Sequence, residues 1–168
     1  MEQGHEGHGA MPNDMNMSKD MQRHHYRMLA VNLGLSLLVM YVAMFAMIWS
    51  FGEFFQNVNF LYMALVMWAP MAIVMLLTMK SMYQDKRLNL ILYAVFGLTL
   101  VLSFAAIRAQ SLVGDKQFLR SMIPHHSGAI LMCERAKISD PEIQQLCGNI
   151  VTSQKSEIDQ MKAILARK

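Results

Sequence analysis

Three long stretches of the chain carry no charged residue, and they limit the fold more than any other feature. No Asp, Glu, Lys or Arg occurs in residues 28–52, 54–79 or 88–107. A helix needs about 20 consecutive apolar residues to cross a bilayer, and each stretch reaches that length. The sequence therefore predicts an all-α protein with three transmembrane helices, at residues 29–49, 60–79 and 88–107, which make up a region 28–108.

The charged residues are few and lie beside these stretches. Of the 168 residues, 54% are hydrophobic and 16% are charged, whereas a soluble domain carries about 25% charged residues. The formal net charge of +3 comes from Lys and Arg that flank the spans and form no basic stripe. We therefore expect membrane lipid, and no nucleic acid, as a partner.

The flanking positive charges also predict an orientation. They precede the first span and fill the loop between spans two and three: Lys19, Arg23, Arg27, Lys80, Lys86 and Arg87. The loop between spans one and two has Glu53 and no Lys or Arg. Because cytoplasmic loops carry the excess of Lys and Arg, we expect the N-terminus in the cytoplasm of a bacterial cell. The region after the third span would then lie on the periplasmic side of the inner membrane.

The first 27 residues are polar and show no hydrophobic period, so this tail is predicted to be disordered. Its histidines and methionines make it a candidate metal-binding tract by composition. The candidate ligands are His5, His8, Met11, Met15, Met17 and Met21. The alternative is a solvated leader in which these residues are incidental.

Residues 109–168 read as a separate helical hairpin. One helix is predicted from Asp115 to about residue 136, and Asp140 followed by Pro141 is typical of the start of a second. Apolar residues then repeat at steps of three and four. A hairpin of this length has little core of its own, so we expect it to form a homo-oligomer or a larger bundle.

Metal-ligating side chains are concentrated in the first helix of this hairpin. Residues spaced three or four apart share one helix face, and this face presents Met122, His125 or His126, and Met132 or Cys133. Folding the chain at residues 139–140 brings the second helix opposite. That helix supplies Gln154, Glu157 and Met161 and places Cys147 near Cys133.

Thioether and thiol groups are soft ligands that select Cu(I), and imidazole also suits copper. Silver is a chemical mimic of Cu(I). We take His125 and His126 as principal ligands, with Gln154 and Glu157 orienting the imidazoles and Cys133 and Cys147 as further candidates. No Glu-x-x-His pair occurs here, which disfavours a di-iron site. A closed zinc site would leave the methionines unused.

Each of these residues also has a structural interpretation. Methionines at helical spacing commonly belong to a core, paired histidines can form a polar packing feature, and Cys133 and Cys147 can form a disulfide. No nucleophile–base pair or paired carboxylates are evident, so an enzyme is not expected. The alternative function is a membrane adaptor, or oligomerising protein, with a structural histidine pair.

The segment also resembles a known family. The motifs are Asp115-x2-Phe118, then Met122-Ile-Pro-His125-His126-x-Gly-Ala-Ile-x-Met132, then Ile150-x3-Gln154-x2-Glu157-Ile158-x2-Met161. They resemble the bacterial domain of unknown function 305, and the three spans and two cysteines lie outside that pattern. The resemblance implies a ferritin-like helical bundle, some of whose members are periplasmic or secreted copper- or silver-binding proteins. It implies Met122, His125, His126, Met132 and Met161 as ligands.

The expected function is therefore a membrane-anchored protein that binds Cu(I), or silver, for buffering, handover or tolerance. A copper efflux or chaperone protein is the expected partner.

Overall fold

The computed structural model describes the backbone of residues 12–168 and the side chains of residues 20–168. Every regular element in this part of the chain is helical, which confirms the all-α prediction. A 3₁₀ turn, Phe51–Glu53, lies between the first two helices. The five helices are α1 (Pro12–Ala43), α2 (Val58–Thr78), α3 (Lys86–Ala109), α4 (Asp115–Arg135) and α5 (Pro141–Ala166).

Three of these helices are long and apolar enough to cross a membrane: Asp20–Ala43 within α1, Val58–Thr78 and Lys86–Ala109. The second and third agree with prediction to within two residues at each end. The first ends at Ala43, so its predicted end at residue 49 was wrong. Residues 44–49 instead form turns, and Phe45 is buried there against the rings of Phe54 and Phe60.

The predicted disorder of the N-terminal tail was wrong for residues 12–27, because α1 already begins at Pro12. Proline is favoured at the first position of a helix, and the Met, Lys, Gln and Arg residues that follow are good helix formers. Residues 1–11 lie outside the described part of the chain. They include the candidate ligands His5, His8 and Met11.

Helix α2 is the centre of the bundle formed by the three candidate spans and packs against both α1 and α3. Its buried positions include Ala64, Ala69 and Ala72, each fully covered. Small residues let helix backbones approach closely in a membrane, where lipid offers no hydrophobic drive for association. The indole of Trp68 also donates a hydrogen bond of 2.8 Å to the carbonyl of Leu33 on α1.

The connections alternate between the two ends of this bundle. At one end, residues 22–26 of α1 meet the α2–α3 turn, where His25 Nδ1 lies 3.2 Å from the carbonyl oxygen of Met82. At the other end, residues 44–57 meet the C-terminal hairpin, where Val58 N–H donates to Gln117 Oε1 at 3.1 Å. Residues 22–26 of α1 and the hairpin therefore lie at opposite ends of the bundle.

The hairpin has the predicted turn and helix start. Asp140 caps α5, and its carboxylate accepts hydrogen bonds from the N–H groups of Glu142 at 2.8 Å and Ile143 at 3.1 Å. Its small core contains Ile123, Ile130 and Ile158, and Phe55 from the first loop packs against them. The hairpin is thus covered by residues 44–57 of its own chain.

Candidate metal site

His126 is the buried member of the histidine pair, and both of its ring nitrogens have protein partners. The residue is 7% exposed. Nδ1 lies 2.9 Å from the carbonyl oxygen of Met122, and Nε2 lies 2.7 Å from Glu157 Oε2. Both partners are acceptors, so both contacts are full hydrogen bonds when the ring is an imidazolium. A neutral ring that keeps its proton on Nδ1 directs the Nε2 lone pair toward Glu157.

Glu157 is held as a carboxylate at the open side of this contact. The hydroxyl of Ser153 donates to Glu157 Oε1 at 2.6 Å. This hydrogen bond, and then the one from His126, keep the pKa of Glu157 below its ordinary value. The sequence interpretation made Glu157 a group that orients the imidazoles. The structure places it against Nε2, the nitrogen that would face a metal ion.

Met122 and Met161 lie within about one helical turn of this pair. Met122 is four residues before His126 on α4, and Met161 is four residues after Glu157 on α5; both are half-buried. Met161 also packs against the core of Ile123, Ile130 and Ile158. Its side chain therefore belongs to the hairpin core, as helical spacing allowed, and it lies about one turn along α5 from Glu157.

His125 and Met132 are exposed on the outer face of α4. Adjacent residues diverge by about 100° around a helix, so His125 points away from the buried ring of His126. The two ring centroids are 6.0 Å apart. Met132 is 59% exposed and lies seven residues from His125, a rise of about 10 Å along the axis. The structure therefore does not bring Met132 together with Met122 or His126.

Gln154 lies half-buried on α5, and its side-chain oxygen is buried without a hydrogen-bond donor among the described residues. A buried acceptor without a partner usually marks strain or an unseen group. The sequence interpretation gave Gln154 the task of orienting an imidazole. No hydrogen bond joins its side chain to either histidine within residues 20–168.

The two cysteines form a disulfide between α4 and α5, with their Cα atoms 5.2 Å apart. Their predicted proximity is confirmed. A disulfide sulfur is not a thiolate ligand, so the lower-ranked role of Cys133 and Cys147 as metal ligands is wrong for this state.

Fewer candidate ligands converge than the sequence suggested. Within the described residues, no three His, Cys, Asp or Glu side chains lie close enough to hold one metal ion. Of the candidates in the N-terminal tract, Met15 and Met17 have a described backbone only, and Met21 is 56% exposed.

Sequence reasoning missed a buried cluster centred on Glu53, which we call the Glu53 cluster: Glu53, Ser127 and Lys162. Glu53 is 8% exposed and accepts a hydrogen bond from the Ser127 hydroxyl. Lys162 Nζ lies 3.6 Å from its other oxygen. The cluster joins the first loop to α4 and α5. A signal was present, because Glu53 is the only charged residue between positions 28 and 79.

Comparisons with known proteins place this hairpin in a family. A model described as "Domain of unknown function (DUF305)" matches residues 102–165. An uncharacterized protein of Acanthamoeba polyphaga mimivirus is 37% identical over 118 residues, which is 69% of this chain and 76% of that protein. This alignment is much longer than the family match, so it extends upstream into the transmembrane helices. No solved structure matches the chain. The chain belongs to the family of domain of unknown function 305.

Proposed function

We propose that this chain is a membrane-anchored protein that binds Cu(I), with silver as a mimic, and serves copper buffering or handover. The ion is its cargo. His126 would supply the principal ligand through Nε2, and Met122 and Met161 would supply thioethers. The family resemblance supports copper, but the observation that carries the proposal is the hydrogen-bonding of His126.

The contact between His126 Nδ1 and the Met122 carbonyl, at 2.9 Å, resembles the support given to metal-bound histidines. Such histidines donate their second ring N–H to a carbonyl or carboxylate, which sets the tautomer and aims the other nitrogen at the metal. Here the nitrogen so aimed is Nε2. Met122 and Met161 lie about one helical turn from His126 and Glu157, and thioethers favour Cu(I).

Glu157 would then compete with the ion. Its carboxylate oxygen lies 2.7 Å from Nε2, in the position that an ion bound to this nitrogen would take. Binding therefore requires movement of the Glu157 side chain, which is 47% exposed. His125, exposed beside this site, would exchange the ion with a copper efflux or chaperone partner.

We further propose that the hairpin lies on the periplasmic side of a bacterial inner membrane, with the N-terminus in the cytoplasm. The N-terminal end carries Arg23, Arg27 and the basic α2–α3 turn, whereas the first loop has Glu53 and no Lys or Arg. The Cys133–Cys147 disulfide supports an oxidising compartment. Oligomerisation through the hairpin remains part of the proposal.

A second candidate is a non-enzymatic adaptor in which the histidine pair is structural. The observation in its favour is that both nitrogens of His126 already have partners. Under this interpretation, His126 and Glu157 join α4 to α5 and no metal is needed.

A measurement of Cu(I) binding distinguishes the copper-binding protein from the adaptor. It uses the full chain in detergent and competition with a chromophoric chelator. The full chain is required because residues 44–57 cover the hairpin. Removing a residue that hydrogen-bonds to a metal ligand lowers metal affinity about 10–100-fold. Because His126 would be a ligand itself, His126→Gln should lower Cu(I) affinity by at least about 100-fold. Met132→Leu is the matched control and should bind like the wild type. Equal binding by wild type and His126→Gln would favour the adaptor.

Glu157→Gln tests the competition directly. If Glu157 competes with the ion, this variant binds Cu(I) at least as tightly as the wild type. If Glu157 orients the imidazole, affinity falls about 10–100-fold.

The orientation has its own test, because both cysteines are in the hairpin. After reduction, a membrane-impermeant maleimide should label them in intact spheroplasts. Labelling only after lysis would contradict the proposed topology.

A further inference from the structure

A cavity of about 500 Å³ lies at the end of the bundle opposite the hairpin. It is formed by the α2–α3 turn and the first two turns of α3. The residues that matter for its chemistry are Lys80, Tyr83, Lys86, Asn89, Leu90 and Tyr93. Ligand pockets commonly have volumes of about 300–1,000 Å³, so this one is large enough for a small polar group.

The cavity is positively charged. Lys80 and Lys86 are both exposed, and neither forms an ion pair within the described part of the chain. The nearby carboxylate of Asp85 caps α3, accepting hydrogen bonds of 3.0 Å from the N–H groups of Arg87 and Leu88. Two ammonium groups therefore face the same space without a carboxylate partner.

The cavity is also lined by Tyr83, a residue that is buried as a whole. Tyr83 is 5% exposed, and its ring packs against that of Tyr26 with centroids 5.4 Å apart. Its backbone carbonyl accepts a hydrogen bond from Asn89 at 2.7 Å. The phenolic oxygen has no hydrogen bond to any residue in the range 20–168. A phenolic hydroxyl can donate a hydrogen bond, so it is suited to a ligand oxygen in this cavity.

The opposite wall of the cavity is apolar and continues along a transmembrane helix. Leu90 is 70% exposed on α3, and Tyr93 follows three residues later on the same face. Helix α3 is one of the three candidate spans, so in a membrane this face would lie against lipid. The site thus joins two cationic groups to a lipid-facing surface at the depth where a span begins.

We propose that this cavity binds the phosphate-bearing headgroup of an anionic phospholipid. The ammonium groups of Lys80 and Lys86 and the hydroxyl of Tyr83 would contact phosphate oxygens. The acyl chains would follow Leu90 and Tyr93 along α3. Basic pockets at the cytoplasmic ends of transmembrane helices bind such headgroups. A free phosphate ion would use the same cationic groups and leave the apolar wall without a role.

The test is native mass spectrometry of the full chain in detergent, titrated with phosphatidylglycerol, phosphatidylcholine or inorganic phosphate. Lys80→Gln/Lys86→Gln should weaken binding of the first phosphatidylglycerol about thirtyfold, since each lysine contributes near an anionic surface. Tyr83→Phe should weaken it about fivefold. Phosphatidylcholine should bind weakly to all variants.

The matched control is Lys116→Gln/Lys137→Gln, which removes two exposed lysines of the hairpin that are in no ion pair of the described chain. It should bind phosphatidylglycerol like the wild type, and thermal unfolding should show both double variants folded. Equal losses in the two double variants would overturn the site. Displacement of the lipid by equimolar inorganic phosphate would overturn the assignment to a phospholipid.

Discussion

The two ends of the bundle formed by the three candidate spans differ in how their polar groups are satisfied. At the hairpin end, the chain covers them itself, and the Glu53 cluster is buried under α4 and α5. At the opposite end, contacts such as that between Gln22 and Gln84, at 3.3 Å, are exposed, and a cavity is left open. From this difference we expect the hairpin end to contribute more to stability. We expect the opposite end to be the one that contacts other molecules.

The largest expected effect comes from the disulfide within the hairpin. Cys133→Ser/Cys147→Ser should lower the free energy of hairpin opening by about 3 kcal/mol, because the bridge closes a loop of about 15 residues. Hydrogen exchange of α4 and α5 amides in the full chain measures this. Exchange in residues 79–93, at the opposite end, should stay unchanged, and a matching increase there would contradict the independence of the two ends.

The Glu53 cluster gives the next largest effect. Glu53→Ala leaves the Ser127 hydroxyl and the Lys162 ammonium without their partner in a mostly buried place, at a cost of about 2 kcal/mol in hairpin opening. The control is Glu134→Ala, which removes an exposed ion pair of 3.3 Å with Lys155. It should change the same free energy by less than about 0.5 kcal/mol. Equal changes in the Glu53→Ala and Glu134→Ala variants would mean that burial of Glu53 contributes nothing to the free energy of hairpin opening.

The opposite end should respond less. Asn89→Ala removes a hydrogen bond to the Tyr83 carbonyl at 2.7 Å and another from the Tyr26 hydroxyl at 2.8 Å. Both are partly buried, so we expect a loss of about 1 kcal/mol, confined to residues 79–93. Hydrogen exchange again measures it. A change in the hairpin amides of similar size would show that the two ends are coupled.

The smallest expected effect is on the loss of stability at acidic pH. The pKa of Glu157 in the folded chain is below its ordinary value of 4.5. Its contribution to stability is therefore present above pH 4.5 and is lost as the pH falls through the lower folded value. Thermal unfolding of Glu157→Gln should show a shallower decline on the acid side than the wild type. Parallel profiles would contradict the role assigned to the Ser153 and His126 hydrogen bonds.

Much of the fold was predictable because the sequence signals for these helices are local and do not depend on tertiary contacts. Spans two and three follow from uncharged length, and the start of α5 follows from Asp140 and Pro141. The end of α1 was not predictable, because hydropathy does not separate an apolar residue facing lipid from one covered by protein. Phe45 is of the second kind and is 5% exposed beside Phe54 and Phe60.

The candidate site was predictable in part for a similar reason. Helical spacing and the hairpin turn brought Cys133 to Cys147 and placed His126 in reach of Glu157. Spacing did not reveal which histidine is buried, because that depends on residues 44–57, which cover the other side of α4. Helical spacing places Met132 on the same face as His125 but does not give their separation along the axis. That separation is too large for the two side chains to bind one ion.

The Glu53 cluster also sets an order of events during synthesis. Ser127 follows Glu53 by 74 residues in the chain, so at about 5–20 residues per second it is made roughly 4 to 15 s later. During this interval Glu53 has neither of its partners, Ser127 and Lys162. Docking of the hairpin on the first loop therefore follows synthesis of α2 and α3, and a chain cut before α4 would leave Glu53 uncovered.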